Sequence, residues 1–218
     1  MVALTFDDGP GPYTHYVLKR LRLNKLRATF FLVSRNLPMY GDLVAKELQH
    51  GTVADHTRTH PNLAALSAAQ QQDEIVGAQK LIATASKRSV QIFRPPYGNR
   101  TPGTDEIAKR AGLVSVLWTV DSADSSTTTI TNYAGIEKNV LAGLKPGAII
   151  LMHDNRGQTV RALPTILHAL KRKHLRAVTV QELLTVDPPS AAQLKAGRNG
   201  CGLPGAAQLG AGAGTAAG

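Results

Sequence analysis

The sequence predicts an α/β protein built as a single domain. Strand-like and helix-like segments alternate seven times, which is typical of a parallel sheet with helices packed outside it. The 218 residues are 43% hydrophobic and 18% charged, as expected for a globular chain long enough to bury a core. The alternation fits a closed or nearly closed β/α barrel, or an open doubly wound sheet. No G-x-G-x-x-G or phosphate-loop motif follows any strand, which weakens the nucleotide-binding alternative.

The predicted strands are short apolar or β-branched runs bounded by polar and turn-forming residues. They cover residues 1–4, 28–32, 52–54, 90–93, 113–120, 148–152 and 176–178. The run at 113–120 is the clearest, and the run at 148–152 is apolar throughout, as in a strand buried on both faces. After the first strand, Gly9 and Pro10 stop the strand and turn the chain. We therefore expect the paired carboxylates of Asp7 and Asp8 to lie at a strand end.

The predicted helices are indicated by amphipathic spacing and by their end signals. They cover residues 13–23, 38–49, 67–85, a segment that begins at Pro102, residues 130–144, residues 160–173 and a last turn from 179. Ser67 with Gln70, and Thr179 with Glu182, have the spacing of capping boxes. Pro102 stands at a first helical position, which proline tolerates.

The charge and composition bear on the partners of the protein. The net charge is +10 and the pI is about 10.0, which favours anionic surroundings such as nucleic acid, cell-wall polymer or a membrane surface. Aromatic residues make up only 5%, so a base-stacking platform is poorly supported and we expect no nucleic-acid partner. No apolar run approaches the roughly 18 residues of a membrane span, and no signal peptide is visible. The single Cys201 excludes an internal disulfide.

The composition changes near the C-terminus. Residues 203–218 are dominated by Gly and Ala and lack charge. Such a composition is typical of a flexible segment rather than a packed core. We predict a folded domain at residues 1–187, followed by a flexible Gly/Ala-rich tail or linker at 188–218.

Polar residues of a reactive kind follow several predicted strands. In a parallel β/α fold, the reactive groups gather at the carboxyl ends of the strands. The residues in such positions are Asp7, Asp8, His56, His60, Arg94, Asp121, Asp124, His153 and Asp154. Their types are those needed for metal binding and for acid–base chemistry.

A candidate metal site arises from two histidines and a carboxylate. His56 and His60 are spaced i, i+4, which on a helical turn would place both imidazoles on one face. With Asp8 as a third ligand, they form a set that leaves a position open for water. A divalent ion held there would lower the pKa of a water molecule, and Asp7 would be left to take its proton.

Five segments of the chain, in this order, resemble the five motifs of the polysaccharide deacetylases, the NodB-homology family 4 carbohydrate esterases. These segments are residues 5–10, 56–60, 94–98, 121–124 and 151–154, and the resemblance spans about residues 2–185. It implies a distorted (β/α)7-type barrel with one divalent metal ion, usually Zn²⁺ and sometimes Co²⁺ or Ni²⁺. It also implies removal of N-acetyl groups from chitin oligomers or peptidoglycan, or of O-acetyl groups from xylan.

The resemblance also implies a role for each matching residue. Asp8, His56 and His60 bind the metal ion. Asp7 is the general base, and Arg94 holds it ionised and oriented. His153 is the general acid, and Asp121, preferred to Asp124, orients it and raises its pKa. The residues expected to contact the substrate are Tyr97, through its backbone N–H, Leu151 and Pro95.

The chain departs from the family pattern at two positions. Ser125 stands where the family usually has Trp, which leaves the preferred sugar chain open, and Asp55 stands where Asn is frequent. We expect a monomer that acts outside the cell or at the cell wall on an acetylated polysaccharide. The alternatives are an acetylxylan esterase with the same site, or a non-catalytic wall or carbohydrate-binding protein.

Overall fold

One curled parallel sheet forms the centre of the molecule. The computed structural model describes residues 1–126 and 132–190. Within them the strands are β1 (Val2–Gly9), β2 (Ala28–Leu32), β3 (Gly51–Asp55), β4 (Ile92–Phe93), β5 (Val114–Ser115), β6 (Val120–Asp121), β7 (Ile149–His153) and β8 (Ala177–Val178). Their order is β5-β4-β3-β2-β1-β7-β6, and β8 also pairs with β1. The parallel pairing confirms the predicted α/β class and its distorted barrel in one domain.

Helices pack outside this sheet along most of the chain. They are α1 (Thr14–Asn24), α2 (Leu37–Tyr40), α3 (Val44–Gln49), α4 (Ala68–Gln72), α5 (Ala78–Ser86), α6 (Pro102–Arg110), α7 (Tyr133–Gly143), α8 (Gly157–Arg172) and α9 (Val180–Val186). The capping boxes predicted at Ser67 and Thr179 are present, and Pro102 begins α6 as expected. Among the described residues, no helix combines the length and the apolar character needed to cross a membrane.

The strand predicted at 113–120 is instead two short strands on opposite edges of the sheet, β5 and β6. The reason lies in the buried side chain of Arg94. Its guanidinium donates to the backbone carbonyl oxygens of Val116 and Leu117, at 3.1 Å each. These carbonyls bond to a side chain rather than to a neighbouring strand. The segment between β5 and β6 therefore leaves the sheet and carries the chain from one sheet edge to the other.

Two predicted helices are also interrupted. The segment at 38–49 consists of α2 and α3 with a 3₁₀ turn between them that begins at Gly41. The segment at 67–85 contains a π-helical turn (Asp73–Gly77) between α4 and α5. The start of the helix predicted at 130–144, and all but the first three residues of the tail predicted at 188–218, lie outside the described residues.

The alternation of side chains along β1 separates two apolar clusters. Val2, Leu4 and Phe6 point outward into the large cluster under the helices. Ala3 points inward to a smaller cluster that also contains Val180 and Leu183 of α9. Since strand side chains alternate, Asp7 belongs to the inward face and reaches the carboxyl end of the barrel.

Candidate active site

The end of β1 places two carboxylates at one site. Asp7 is 2% exposed, and its partner residues in β2 and β7 are Phe31 and His153. The register shifts between Asp7 and Gly9, and Asp8 has a left-handed φ of 68°. This bulge overrides the simple alternation of strand side chains. Both carboxylates consequently approach the His56 Nε2 atom, at 3.6 Å from Asp7 and 3.8 Å from Asp8.

Asp8, His56 and His60 come together as the sequence predicts. One ligand atom from each lies within 4.8 Å of the others. The expected helical turn is absent, because the segment after β3 is a loop with left-handed φ values at Thr57 (72°) and His60 (64°). The loop still brings the two imidazole rings to a centroid distance of 4.9 Å. The two histidines therefore meet through loop geometry rather than helical spacing.

The chemistry of these three side chains fits a divalent cation. His56 Nδ1 lies 2.7 Å from the carbonyl oxygen of Arg94, so it carries the proton, and its Nε2 faces the site with a free electron pair. Asp8 Oδ1 is buried and lacks a hydrogen-bond partner among the described residues. Burial alone would raise the pKa of Asp8. The imidazoles of His153, His56 and His60 outweigh burial, so this pKa lies below the usual value of an aspartate. Two imidazoles and an ionised carboxylate are a donor set that Zn²⁺ and similar ions accept.

Arg94 holds the Asp7 carboxylate in place. The guanidinium is fully buried and donates to Asp7 Oδ1 at 2.7 Å and to the Thr5 hydroxyl at 2.8 Å. Its face lies 4.0 Å above the centre of the Phe31 ring. A buried ion pair with several additional hydrogen bonds has one preferred geometry. Asp7 Oδ2 is left facing the imidazoles.

His153, at the end of β7, is paired with a buried carboxylate. Its Nδ1 donates to Asp124 Oδ1 at 2.6 Å, and its backbone N–H donates to Asp124 Oδ2 at 2.7 Å. The Thr159 hydroxyl donates to the same Oδ2 at 2.5 Å. Burial alone would lower the pKa of His153. The hydrogen bond and the charge of Asp124 outweigh burial and raise this pKa from 6.5 to about 9. His153 is therefore an imidazolium at neutral pH.

This arrangement corrects the expectation that Asp121 orients His153. Asp121 ends β6, and its carboxylate accepts the backbone N–H of Ala123 at 2.7 Å. That turn, with a left-handed φ of 55° at Ala123, redirects the chain so that Asp124 reaches the imidazole. Burial raises the pKa of Asp121, which lies near the site without a hydrogen bond to His153 among the described contacts. The partner of His153 is thus the second aspartate of the pair.

The residues predicted to contact the substrate differ in exposure. Tyr97 is 63% exposed, has a left-handed φ of 60°, and lies with its ring centre 4.7 Å from that of His60. Tyr97 is therefore an exposed neighbour of the candidate metal ligand His60. Leu151 and Pro95 are buried, and their contacts with a substrate stay predictions.

Comparison with known proteins decides the family. A family model described as polysaccharide deacetylase matches residues 1–116, more than half of the 218 residues. The chain belongs to the polysaccharide deacetylase family. It is accordingly a hydrolase of the class that acts on carbon–nitrogen bonds other than peptide bonds, as predicted.

Relatives in this family act on different polymers, according to their names. A chitooligosaccharide deacetylase of Bradyrhizobium sp. (strain ANU 289) is 35% identical over 79% of this chain and 85% of its own length. The peptidoglycan-N-acetylglucosamine deacetylase PgdA of Listeria monocytogenes is 35% identical over 84% of this chain, which spans only 38% of that protein. A solved structure, the family 4 carbohydrate esterase from Streptomyces lividans in complex with acetate, has a TM-score of 0.75 and 37% identity over 81% of this chain and 90% of its own.

Sequence reasoning missed several residues that support the site. Thr159 bonds to Asp124, Asn36 donates its side-chain amide to the Asp8 carbonyl oxygen at 2.9 Å, and Asn155 donates to the Asp8 carboxylate at 3.3 Å. Asn155 follows β7 by two residues, so its position at a strand end was a usable signal. Asn36 and Thr159 carry no such signal in the sequence.

Proposed function

We propose that this protein hydrolyses the N-acetyl groups of a polysaccharide that contains N-acetylglucosamine. The reaction would use one divalent metal ion, which we propose to be Zn²⁺. The observation that carries the proposal is the convergence of three candidate ligands between an arginine-held carboxylate and an imidazolium. The chitooligosaccharide and peptidoglycan deacetylases among the relatives support this substrate class. Asp8, His56 and His60 would hold the ion, which would supply Lewis-acid chemistry that activates water and polarises the acetyl carbonyl.

The base in this proposal is Asp7. A water molecule must lose a proton as its oxygen attacks the acetyl carbonyl carbon, and Asp7 Oδ2 is the carboxylate oxygen that Arg94 leaves free. Arg94 keeps Asp7 in one orientation, so that the proton acceptor is positioned before the substrate binds. In the same proposal the backbone N–H of Tyr97 donates to the carbonyl oxygen as negative charge develops on it.

The acid in this proposal is His153. An amine is a poor leaving group, and the carbon–nitrogen bond breaks only as the nitrogen gains a proton. His153 carries that proton because Asp124 stabilises its imidazolium form. The products are acetate and a free amino group on the sugar. Asp7 and His153 must hold opposite charges in the same molecule, and their separate partners, Arg94 and Asp124, support that state.

The remaining parts of the proposal concern the whole protein. We propose that residues 1–187 are the deacetylase domain and that the protein works as a monomer, since every candidate residue comes from one chain. We also propose that it acts outside the cell or at the cell wall, where polymers of the kind named for its relatives are found.

The test is acetate release from N-acetylglucosamine oligomers by chelator-treated protein, with and without added Zn²⁺, Co²⁺ or Ni²⁺. We expect release only after an ion is restored. Acetylxylan serves as the comparison substrate for the esterase alternative. Faster release from acetylxylan than from the oligomers, or no release from either, would refute the proposed reaction.

A further inference from the structure

A cavity of about 250 Å³ lies beside the candidate metal ligands and has no part in the acid–base chemistry proposed above. Asp8 and His60 form one of its walls. The other walls come from the loop after β1, from residues after β2 that include Arg35 and Tyr40, and from Asn155. Since the cavity shares a wall with the candidate ligands, it is within reach of the sugar that presents its acetyl group and of the neighbouring sugar.

Arg35 brings an unpaired positive charge to this cavity. It lies in the 3₁₀ turn Ser34–Asn36, and its side chain is exposed and forms no ion pair among the described residues. The nearby Arg58 is a useful contrast. The Arg35 backbone N–H donates to the Arg58 carbonyl oxygen at 3.0 Å, yet the Arg58 guanidinium is paired with Asp73, also at 3.0 Å. Of these two neighbouring cations, Arg35 is the one whose charge is available to a ligand.

The other polar groups of the cavity indicate what the rest of that ligand offers. Asn155 uses its amide nitrogen on Asp8, and its Oδ1 is buried without a hydrogen-bond partner among the described residues. A hydroxyl group would satisfy that oxygen. The Asp8 carboxylate is the negative charge in the wall, and His60 Nε2 lies 3.2 Å from it. The cavity therefore combines an acceptor for a hydroxyl with a cation for an anion.

We propose that Arg35 is a specificity residue that binds a carboxylate carried by the sugar chain, so that the site prefers an acidic N-acetylated polysaccharide to a neutral one. This inference rests on the proposed function and names its substrate class more closely. A guanidinium binds a carboxylate through two parallel hydrogen bonds, and such charge-assisted bonds are stronger than neutral ones. The net charge of +10 favours the same class of polymer.

The experiment compares two substrates, N-acetylglucosamine oligomers and a peptide-free glycan in which N-acetylglucosamine alternates with N-acetylmuramic acid, whose lactyl group carries a carboxylate. We expect the wild-type protein to show the higher kcat/KM on the acidic glycan. In Arg35→Gln, the ratio of kcat/KM on the acidic glycan to kcat/KM on the neutral oligomers should fall about 10-fold to 100-fold, through a higher KM. Arg35→Lys should restore part of the ratio, because it keeps the charge but not the two-point geometry.

Arg88→Gln is the matched control. Arg88 is exposed and precedes β4, at the amino ends of the strands, whereas the cavity lies at their carboxyl ends, so its loss should leave the ratio within twofold of wild type. The inference is overturned if the wild type shows no preference, if Arg35→Gln keeps the preference, or if Arg35→Gln loses activity equally on both substrates.

Binding measured by calorimetry separates this inference from the proposed reaction. Two disaccharides are titrated into wild type and Arg35→Gln, a measurement that needs no turnover. The acidic one joins N-acetylglucosamine to N-acetylmuramic acid, and the neutral one joins two N-acetylglucosamine units. Tighter binding of the acidic disaccharide that disappears in Arg35→Gln supports the inference even where no acetate is released. Equal binding of both sugars by the wild type overturns it even where deacetylation is observed.

Discussion

Asp124→Asn tests the acid–base assignment through the pH dependence of the rate. The pKa of His153 rises from 6.5 to about 9, which corresponds to roughly 3 kcal/mol in favour of the imidazolium. Burial alone lowers this pKa, and the largest opposing causes are the hydrogen bond and the charge of Asp124. An acid must be protonated to act, so the rate falls as the pH rises through its pKa. With asparagine in place of Asp124, the alkaline limb should move down by about two pH units, toward the ordinary histidine value.

The assay is acetate release from N-acetylglucosamine oligomers between pH 5 and pH 10, with the metal ion at saturation. Asp121→Asn is the matched control, because Asp121 lies just before Asp124 in the chain, at the end of β6, and bonds to Ala123 rather than to His153. Its alkaline limb should stay close to that of wild type. An alkaline limb that moves in Asp121→Asn but not in Asp124→Asn would refute this reasoning and restore Asp121 as the partner of the acid.

Three further predictions concern single residues. Asp7→Asn should keep the metal ion, since Asp8 is the proposed ligand, but lose about 10²–10⁴ in kcat; loss of the ion by elemental analysis would contradict this. His153→Ala should lose a similar factor on N-acetyl substrates and much less on an activated aryl acetate, whose leaving group needs no proton; equal losses would remove His153 as the acid. Glu47→Met should raise the free energy of unfolding at pH 7 by about 1–4 kcal/mol, because both Glu47 carboxylate oxygens are buried without a hydrogen-bond partner among the described residues. Burial and the charge of Asp154 raise the pKa of Glu47, so this acid lowers the stability of the fold as the pH rises above about 4.5. Chemical denaturation at pH 5 and pH 8 should therefore show a smaller gain in stability for Glu47→Met at pH 5. An equal gain at both pH values would argue against the buried carboxylate as its cause.

The elements that position the site could be predicted because their signals are local. The runs that form β1, β2 and β7 are short but rich in apolar and β-branched residues, and Gly9 ends β1 as expected. In a parallel sheet, the carboxyl ends of such strands meet at one edge, so residues that follow them can be grouped without coordinates. Asp8, His56 and His60 were grouped in this way, and the structure brings them together.

The parts that could not be predicted depend on long-range contacts or on turn geometry. The break in the strand at 113–120 depends on Arg94, which is more than twenty residues away in sequence from the carbonyls that it binds. The choice between Asp121 and Asp124 depends on the left-handed conformation of Ala123, and alanine does not signal such a turn. The helical turn expected around His60 fails for the same reason, since left-handed φ values are rare outside glycine.

The most direct test of the proposed metal site is the number of metal ions bound by each chain, measured by calorimetric titration of Zn²⁺ into chelator-treated protein. We expect one ion per chain for wild type and for the control Asp121→Asn. This tight site should be lost in Asp8→Ala, His56→Ala and His60→Ala, because each removes one of three converging ligands. A wild-type protein that binds no ion, or three variants that all retain one tightly bound ion, would contradict the assignment of these ligands.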